Sequence, residues 1–158
     1  MKIGHGYDVH RLVAERPLVL GGVNIAHSKG LLGHSDADVL LHAICDAIIG
    51  ALGLGDIGMH FPDTDEKYAG ADSRDLLRSV ASMMQDRACR VRNLDCTVVA
   101  QAPKLSPYLV QMKRNISSDL DCDQGQINIK ATTTEKLGFV GREEGIEAHA
   151  VVIIELIE

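Results

Sequence analysis

Asp8 and His10 stand one residue apart in GYDVH (residues 6–10), and His42 follows within HSDADVLLHAICDAIIG (residues 34–50). If residues 6–10 are a strand, the side chains of Asp8 and His10 point to the same face. The segment around His42 reads as a helix. One carboxylate and two imidazoles make a three-ligand set for a catalytic zinc, which keeps a fourth position open for water or substrate. Such a site suits chemistry on an oxygen ligand such as a phosphate. A single helical histidine is more often structural, and D-x-H is common by chance, so this set alone does not decide the function. Asp46 lies four residues after His42 on the same helical face. It could orient the imidazole from behind, or simply be solvated.

Three further segments carry candidate chemistry. KATTTEKLGF (residues 130–139) ends a strand in three threonines, which offer hydroxyls and backbone N–H groups to a phosphate. Glu135 adds an oxygen donor suited to Mg²⁺. The plainer reading, favoured on these residues alone, is a Thr-capped turn with Glu135 completing a capping box. The loop DIGMHFPDTD (residues 56–65) sets Asp56, Asp63 and Asp65 around Gly58 and Pro62. Its carboxylates suit a polyol's hydroxyls, and its glycine allows close backbone approach; a solvated turn-rich loop has the same composition. In AQAPKLSP (residues 100–107), Pro103 stiffens the loop and Lys104 could neutralise a phosphate. A lone loop lysine is usually solvated.

These residues need a scaffold. Residues 1–10 read as a strand and 17–25 as a β-hairpin around Gly21-Gly22. Residues 29–35 read as a loop, with Ser35 or Asp36 capping the next helix. That helix carries Val39, Ile44, Ala47, Ile48 and Ala51 at helical spacing and stops at Gly53 and Gly55. A second helix is expected from Ser73 to about Arg90, burying Leu76, Leu77, Val80, Met83 and Met84. A strand follows over residues 93–101. Ser106-Pro107 opens a third helix, which reaches about Leu120. Strands over 126–132 and 147–157 complete the chain. The fold class is mixed α/β (α+β), one domain over residues 1–158, with three helices on one face of a mixed sheet. The last strand is apolar enough to be buried on both faces, and three helices cannot cover both. Other subunits could cover the second.

Composition narrows the function classes. The 158 residues contain 46% hydrophobic and 24% charged residues, ordinary for a globular protein. Aromatics are only 3%, which argues against single-strand nucleic-acid binding by base stacking. The net charge of −6 argues against a phosphate-tracking nucleic-acid surface. A phosphorylated small molecule would instead need metal ions or backbone N–H groups to offset its charge. Cys45, Cys89, Cys96 and Cys122 form no C-x-x-C pair. With no signal pattern at the N-terminus and no apolar run long enough to span a bilayer, the expected location is cytoplasmic, with no membrane partner.

The segments GHGYDVH, GLLGHSDADVLLHAICDA, LGDIGMHFPDTD, GADSRDLLR, AQAPKLSP and KATTTEKLGFVGREEGI, in this order, resemble the 2-C-methyl-D-erythritol 2,4-cyclodiphosphate synthase family nearly end to end. The resemblance implies conversion of 4-diphosphocytidyl-2-C-methyl-D-erythritol 2-phosphate to the 2,4-cyclodiphosphate and CMP, in the non-mevalonate route to isoprenoid precursors. It implies that Asp8, His10 and His42 hold zinc, and that Glu135 holds a second divalent ion, Mg²⁺ or Mn²⁺, together with the substrate phosphates. His34 and Thr133 match the positions that stabilise the transition state. His34, Ser35, Asp56, Ile57 and Gly58 match the methylerythritol phosphate pocket, as do Phe61, Pro62, Asp63, Thr64 and Asp65. Asp8 and His10 also contact substrate on this reading. Ala100, Gln101, Ala102, Pro103, Lys104, Leu105 and Ser106 match the cytidine diphosphate pocket, with Thr132, Thr133, Thr134 and Glu135. Phe139 and Arg142 lie near it. The resemblance further implies a homotrimer around a threefold axis, with active sites between subunits. A central cavity could take an isoprenoid diphosphate near Arg142 and Glu144. Tyr7, Met59 and His60 depart from the family pattern.

Two alternatives remain at this point. A zinc hydrolase would carry water at the open metal position, but no H-E-x-x-H-like carboxylate accompanies the ligands. A trimeric isoprenoid-diphosphate binding protein would use the central cavity without turnover. A structural zinc site would be expected to have four protein ligands, and three are present.

Overall fold

The computed structural model describes residues 1–157. The chain opens with the long strand β1 (Lys2–Ala14), the hairpin β2 (Leu18–Leu20) and β3 (Val23–Ile25), and β4 (Lys29–Leu32). Then come α1 (Val39–Leu52), the single turn α2 (Ile57–His60), α3 (Ser73–Gln85) and β5 (Cys89–Val99). The chain ends with α4 (Leu109–Leu120), β6 (Ile127–Thr132), the single turn α5 (Gly138–Gly141) and β7 (Gly145–Leu156). The main sheet has the order β4-β1-β7-β5-β6. All its neighbours are antiparallel except β5 and β6. That parallel pair requires a crossover, and α4 supplies it.

The three long helices cover one face of the sheet. Along β7, Ile146, Ala148, Ala150, Val152 and Ile154 are fully buried beneath them. The alternate residues Glu147, His149, Val151, Ile153 and Glu155 are only partly covered or exposed. The expected burial on both faces is therefore met on one face within this chain. The other presents Ile3, Tyr7, Val9 and Val151, all exposed.

α1 is the centre of the fold, with 11 of its 14 residues buried. A helix apolar nearly all round belongs inside a protein. Only His42, Asp46 and Gly50 escape burial, and their spacing of four makes them one stripe along the helix. β1 meets α1 through Gly4 and Gly6. A Cβ on Gly6 would fall 1.9 Å from the Ala43 carbonyl oxygen, and one on Gly4 1.9 Å from that of Ala47. Two strand residues advance about 6.7 Å and four helix residues about 6 Å, so the two elements stay in step. Asp8 and His10 continue the same face of β1 past Gly6, and His42 adjoins Ala43 on α1.

Several local expectations shift. Residues 29–32 form a strand, not a loop, because they pair with residues 11–14 of β1. The cap of α1 is Asp38, not Ser35 or Asp36. Asp38 is fully buried; its carboxylate accepts N–H bonds from Leu41 and from Gly21 and Gly22 of the hairpin. Ser35 and Asp36 are taken by other partners. α3 ends at Gln85, not Arg90, because Cys89 already belongs to β5. Met83 is only half-buried. Ser106 begins a 3-10 turn but caps it with no side-chain bond.

Gly6→Ala should lower stability by about 2–4 kcal/mol, since strand and helix backbones must separate to admit the methyl group. Urea denaturation checks this. A midpoint equal to that of the unsubstituted protein would contradict the close-contact account.

Candidate active site

The glycine ladder brings Asp8, His10 and His42 together. Asp8 Oδ2 lies 2.9 Å from His10 Nε2 and 3.1 Å from His42 Nδ1, and the two nitrogens are 3.2 Å apart. Ligand atoms of a tetrahedral zinc at 2.0–2.1 Å stand about 3.3 Å from one another, so the three fit a zinc with a few tenths of an ångström of adjustment. This is the one group of three or more His, Cys, Asp or Glu with convergent ligand atoms among the described residues. His10 Nδ1 donates to the Leu32 carbonyl at 2.8 Å, which leaves Nε2 as the free lone pair. Burial works against ionisation of Asp8, but the hydrogen bonds and charges of His10 and His42 outweigh it and hold the carboxyl at about 2. Burial likewise opposes protonation of His10, and Asp8 overcomes it, so the imidazole titrates above its ordinary value.

Asp46 does not orient His42. It accepts the Ile57 N–H at 3.1 Å and so pins α2 to α1. The partners at His42 Nε2 are Ser73 Oγ at 2.9 Å and Ser35 Oγ at 3.2 Å. Ser73, the first residue of α3, has no signal in the sequence for this role. It reads as the start of a helix and lies 31 residues from His42.

Around the three ligands is a pocket of about 260 Å³. Its walls include His34, Ser35, Ile57, Gly58, Phe61 and Asp63 of the expected set. Gly33, Tyr68 and Leu76, which sequence reasoning missed, complete it. Asp56 and Asp65 serve as caps, accepting from Met59 N and Lys67 N. His34 Nε2 donates to the Asp65 carbonyl at 3.0 Å, which ties His34 to the loop over residues 61–65. Pro62 and Thr64 belong to that loop but do not line the pocket. Of the departures from the family pattern, His60 donates to the Leu54 carbonyl, Tyr7 donates to Glu147, and Met59 is exposed.

A second pocket, of about 510 Å³, opens at the ends of β5 and β6. It is lined by Ala100, Gln101, Ala102, Pro103, Lys104, Leu105 and Ser106, with Ala131, Thr132, Thr133 and Glu135. Glu135 and Lys136 adopt left-handed backbone, at φ 53° and 65°. The resulting bend lets the Thr133 hydroxyl donate to Glu135 Oε1, and Lys136 N donate to Gln101 Oε1. Thr134 bonds the Leu137 carbonyl and faces neither pocket. Phe139 sits against Gly145. Arg142 pairs through two nitrogens with Glu144 and shares a third, polar pocket with Arg11 and Lys29. A larger hollow, of about 660 Å³, lies between Arg90, Ser117, Cys122 and Gln126 and contains none of the expected residues. The first two pockets share no lining residue. β7 runs between β1, which carries Asp8 and His10, and β5, which ends at the second pocket.

Residues 1–155 match the model of the YgbB family. The 2-C-methyl-D-erythritol 2,4-cyclodiphosphate synthase of Geobacter sulfurreducens is 63% identical over 155 residues, 98% of this chain and 99% of that protein. The bifunctional IspDF of Campylobacter jejuni superposes with a TM-score of 0.95 at 46% identity; 99% of this chain covers 42% of that longer one. IspF of Plasmodium falciparum, solved as a CDP complex, gives a TM-score of 0.88 at 37% identity, covering 99% of this chain and 97% of that one.

A zinc ion taken by His10 Nε2 would compete there with a proton, since Asp8 raises the imidazole above its ordinary value. Affinity should therefore fall as pH drops through neutrality, with protons released on binding, while Asp8 competes only in acid. Calorimetric titration with zinc at about pH 8 and about pH 6 reads this. Equal affinity and no proton release would show that His10 is not a ligand.

Proposed function

The chain belongs to the YgbB family of cyclodiphosphate synthases, and from that premise we propose how its residues divide the work. The enzyme converts 4-diphosphocytidyl-2-C-methyl-D-erythritol 2-phosphate to 2-C-methyl-D-erythritol 2,4-cyclodiphosphate in isoprenoid precursor synthesis. An oxygen of the 2-phosphate bonds to the β-phosphorus, the bond from that phosphorus to the bridging oxygen breaks, and CMP leaves. Nucleophile and electrophile belong to one molecule, so holding it folded supplies much of the catalysis. A phosphate dianion is already a nucleophile, and no side chain is needed as a general base.

The single observation that carries the assignment of residues is the convergence of Asp8, His10 and His42 in the first pocket. Zinc on these three, with Mg²⁺ or Mn²⁺ on Glu135 and the substrate phosphates, would neutralise the charge that builds between the two phosphates and on the departing CMP. The pocket beside them takes the methylerythritol phosphate end, with His34 placed against the reacting phosphate. Its wall of Ile57 and Phe61 excludes water, while Asp63 meets the hydroxyls. The pocket over residues 100–106 takes the cytidine diphosphate end, with Lys104 as a cation and Thr133 as a hydroxyl donor.

The reaction needs both ends of one substrate in one place, yet the two pockets lie apart in a single chain. This supports a homotrimer of one-domain subunits (residues 1–158), in which one subunit's metal centre faces its neighbour's cytidine pocket. The exposed apolar residues on the bare face of the sheet support the same assembly. An isoprenoid diphosphate in the central cavity is a further proposal, supported by Arg11, Lys29 and Arg142 around one polar pocket. A cytoplasmic location is supported by four free cysteines.

Phosphorus NMR of the protein with the cytidylyl substrate and Mg²⁺ tests the reading. Cyclic diphosphate and CMP should form, stop on zinc chelation, and return with zinc. His42→Ala should lose both zinc and turnover; normal zinc content with normal turnover removes the ligand assignment. Co-expression of His42→Ala with Glu135→Ala tests the shared site. Random mixing should restore about a quarter of the sites, whereas a site within one chain would restore none.

A further inference from the structure

The metal set is held by a buried polar relay that runs from α1 through α3 to the turn before α1. Ser73 is wholly buried. Its hydroxyl contacts two groups, Asp36 Oδ1 and His42 Nε2. Its backbone N–H donates to the other oxygen of the same carboxylate, Asp36 Oδ2, at 3.0 Å. Asp38 N also donates to Asp36 Oδ1, at 3.0 Å. An ionised carboxylate only accepts, and a serine hydroxyl has one proton. The Ser73 proton therefore points to Asp36, and Ser73 presents a lone pair to His42 Nε2. Only an N–H can meet that lone pair at 2.9 Å without repulsion. Ser35 Oγ, at 3.2 Å from the same nitrogen, is already an acceptor for Ala37 N and can take a share of the same proton.

We infer that Asp36 and Ser73 are positioning residues that hold a proton on His42 Nε2 and so fix the ring with Nδ1, the atom left for a metal, turned to Asp8 and His10. The inference rests on reading Asp8, His10 and His42 as a metal centre. It deepens that reading by naming what presets the third ligand. His10 is preset by the backbone carbonyl of Leu32 on the paired strand β4. His42 is preset by a side chain 31 residues away, and this makes the seating of α3 against α1 a requirement of metal binding. An imidazole left to choose its tautomer would be in the wrong form for part of the time. Loss of such an outer partner weakens metal affinity by about 10–100-fold.

The test uses the full-length protein free of metal, with ¹⁵N-labelled histidine. Long-range ¹H–¹⁵N spectra should show a proton on His42 Nε2. Ser73→Ala should give mixed His42 tautomers and weaken zinc binding by about tenfold or more, while His10 keeps its tautomer. Asp36→Asn, which keeps an acceptor but removes the charge, should shift both readouts the same way by less. The backbone spectrum of each variant reports whether it is folded. A metal-free protein with no proton on His42 Nε2 overturns the inference, as does a folded Ser73→Ala with unchanged His42 ring-nitrogen signals and zinc affinity. A His42 held in the Nε2–H form in a protein that binds no zinc upholds the relay and overturns the metal reading instead.

Discussion

The contact between β1 and α1, backbone against backbone, is the constraint on which the rest depends. Gly4 and Gly6 have no Cβ to hold the helix away, so the carbonyls of Ala43 and Ala47 rest almost on the strand. Any side chain there would lift α1 off the sheet and carry His42 away from Asp8 and His10. The packing of the core and the convergence of the ligands are therefore one event. Strand and helix repeats that nearly match set which residues meet at the end of the ladder.

A second layer of constraint is polar and buried. Asp38 joins the cap of α1 to the hairpin through three backbone N–H groups. Burial pushes its carboxyl up to about 6, against the pull of those bonds. Arg74 and Arg78 of α3 share Asp119 of α4, which links the two outer helices. Buried charge of this kind contributes little to stability in itself, but a missing partner leaves an uncompensated group. These nodes specify the seating of the helices to within a hydrogen-bond length, which is the accuracy a metal centre demands.

The electrostatics of the reaction account for the division into two pockets. An acidic chain handles a substrate with three phosphate groups, so cations have to be brought to where the charge is. The candidate metal ligands Asp8 and His10 stand on β1 level with the last residues of β5, and Lys104 and Glu135 lie just past the ends of β5 and β6. All three strands run the same way, so both pockets open at one end of the sheet. β7 keeps them apart within the chain.

The ligand types, the spacing of Asp8 and His10, the three long helices and the two loops rich in Asp or Pro were legible from residues alone, because strand and helix periods and turn chemistry act locally. All six segments carrying the family resemblance contribute residues to one of the two pockets. The roles of Asp46, Ser35 and Asp36 were not legible, since a local capping rule cannot know which acceptors a distant element has claimed. Asp46 holds Ile57 rather than His42, and Asp36 binds Ser73 and the Asp38 N–H instead of capping α1 itself. The strand at residues 29–32 was hidden because four residues show no clear period, and only pairing with β1 makes them a strand. By itself, then, the sequence determined which chemistry is present and which elements carry it. The tertiary structure decided which side chains face one another, because hydrogen bonds between α1, α3 and the sheet span tens of residues and leave no periodic trace.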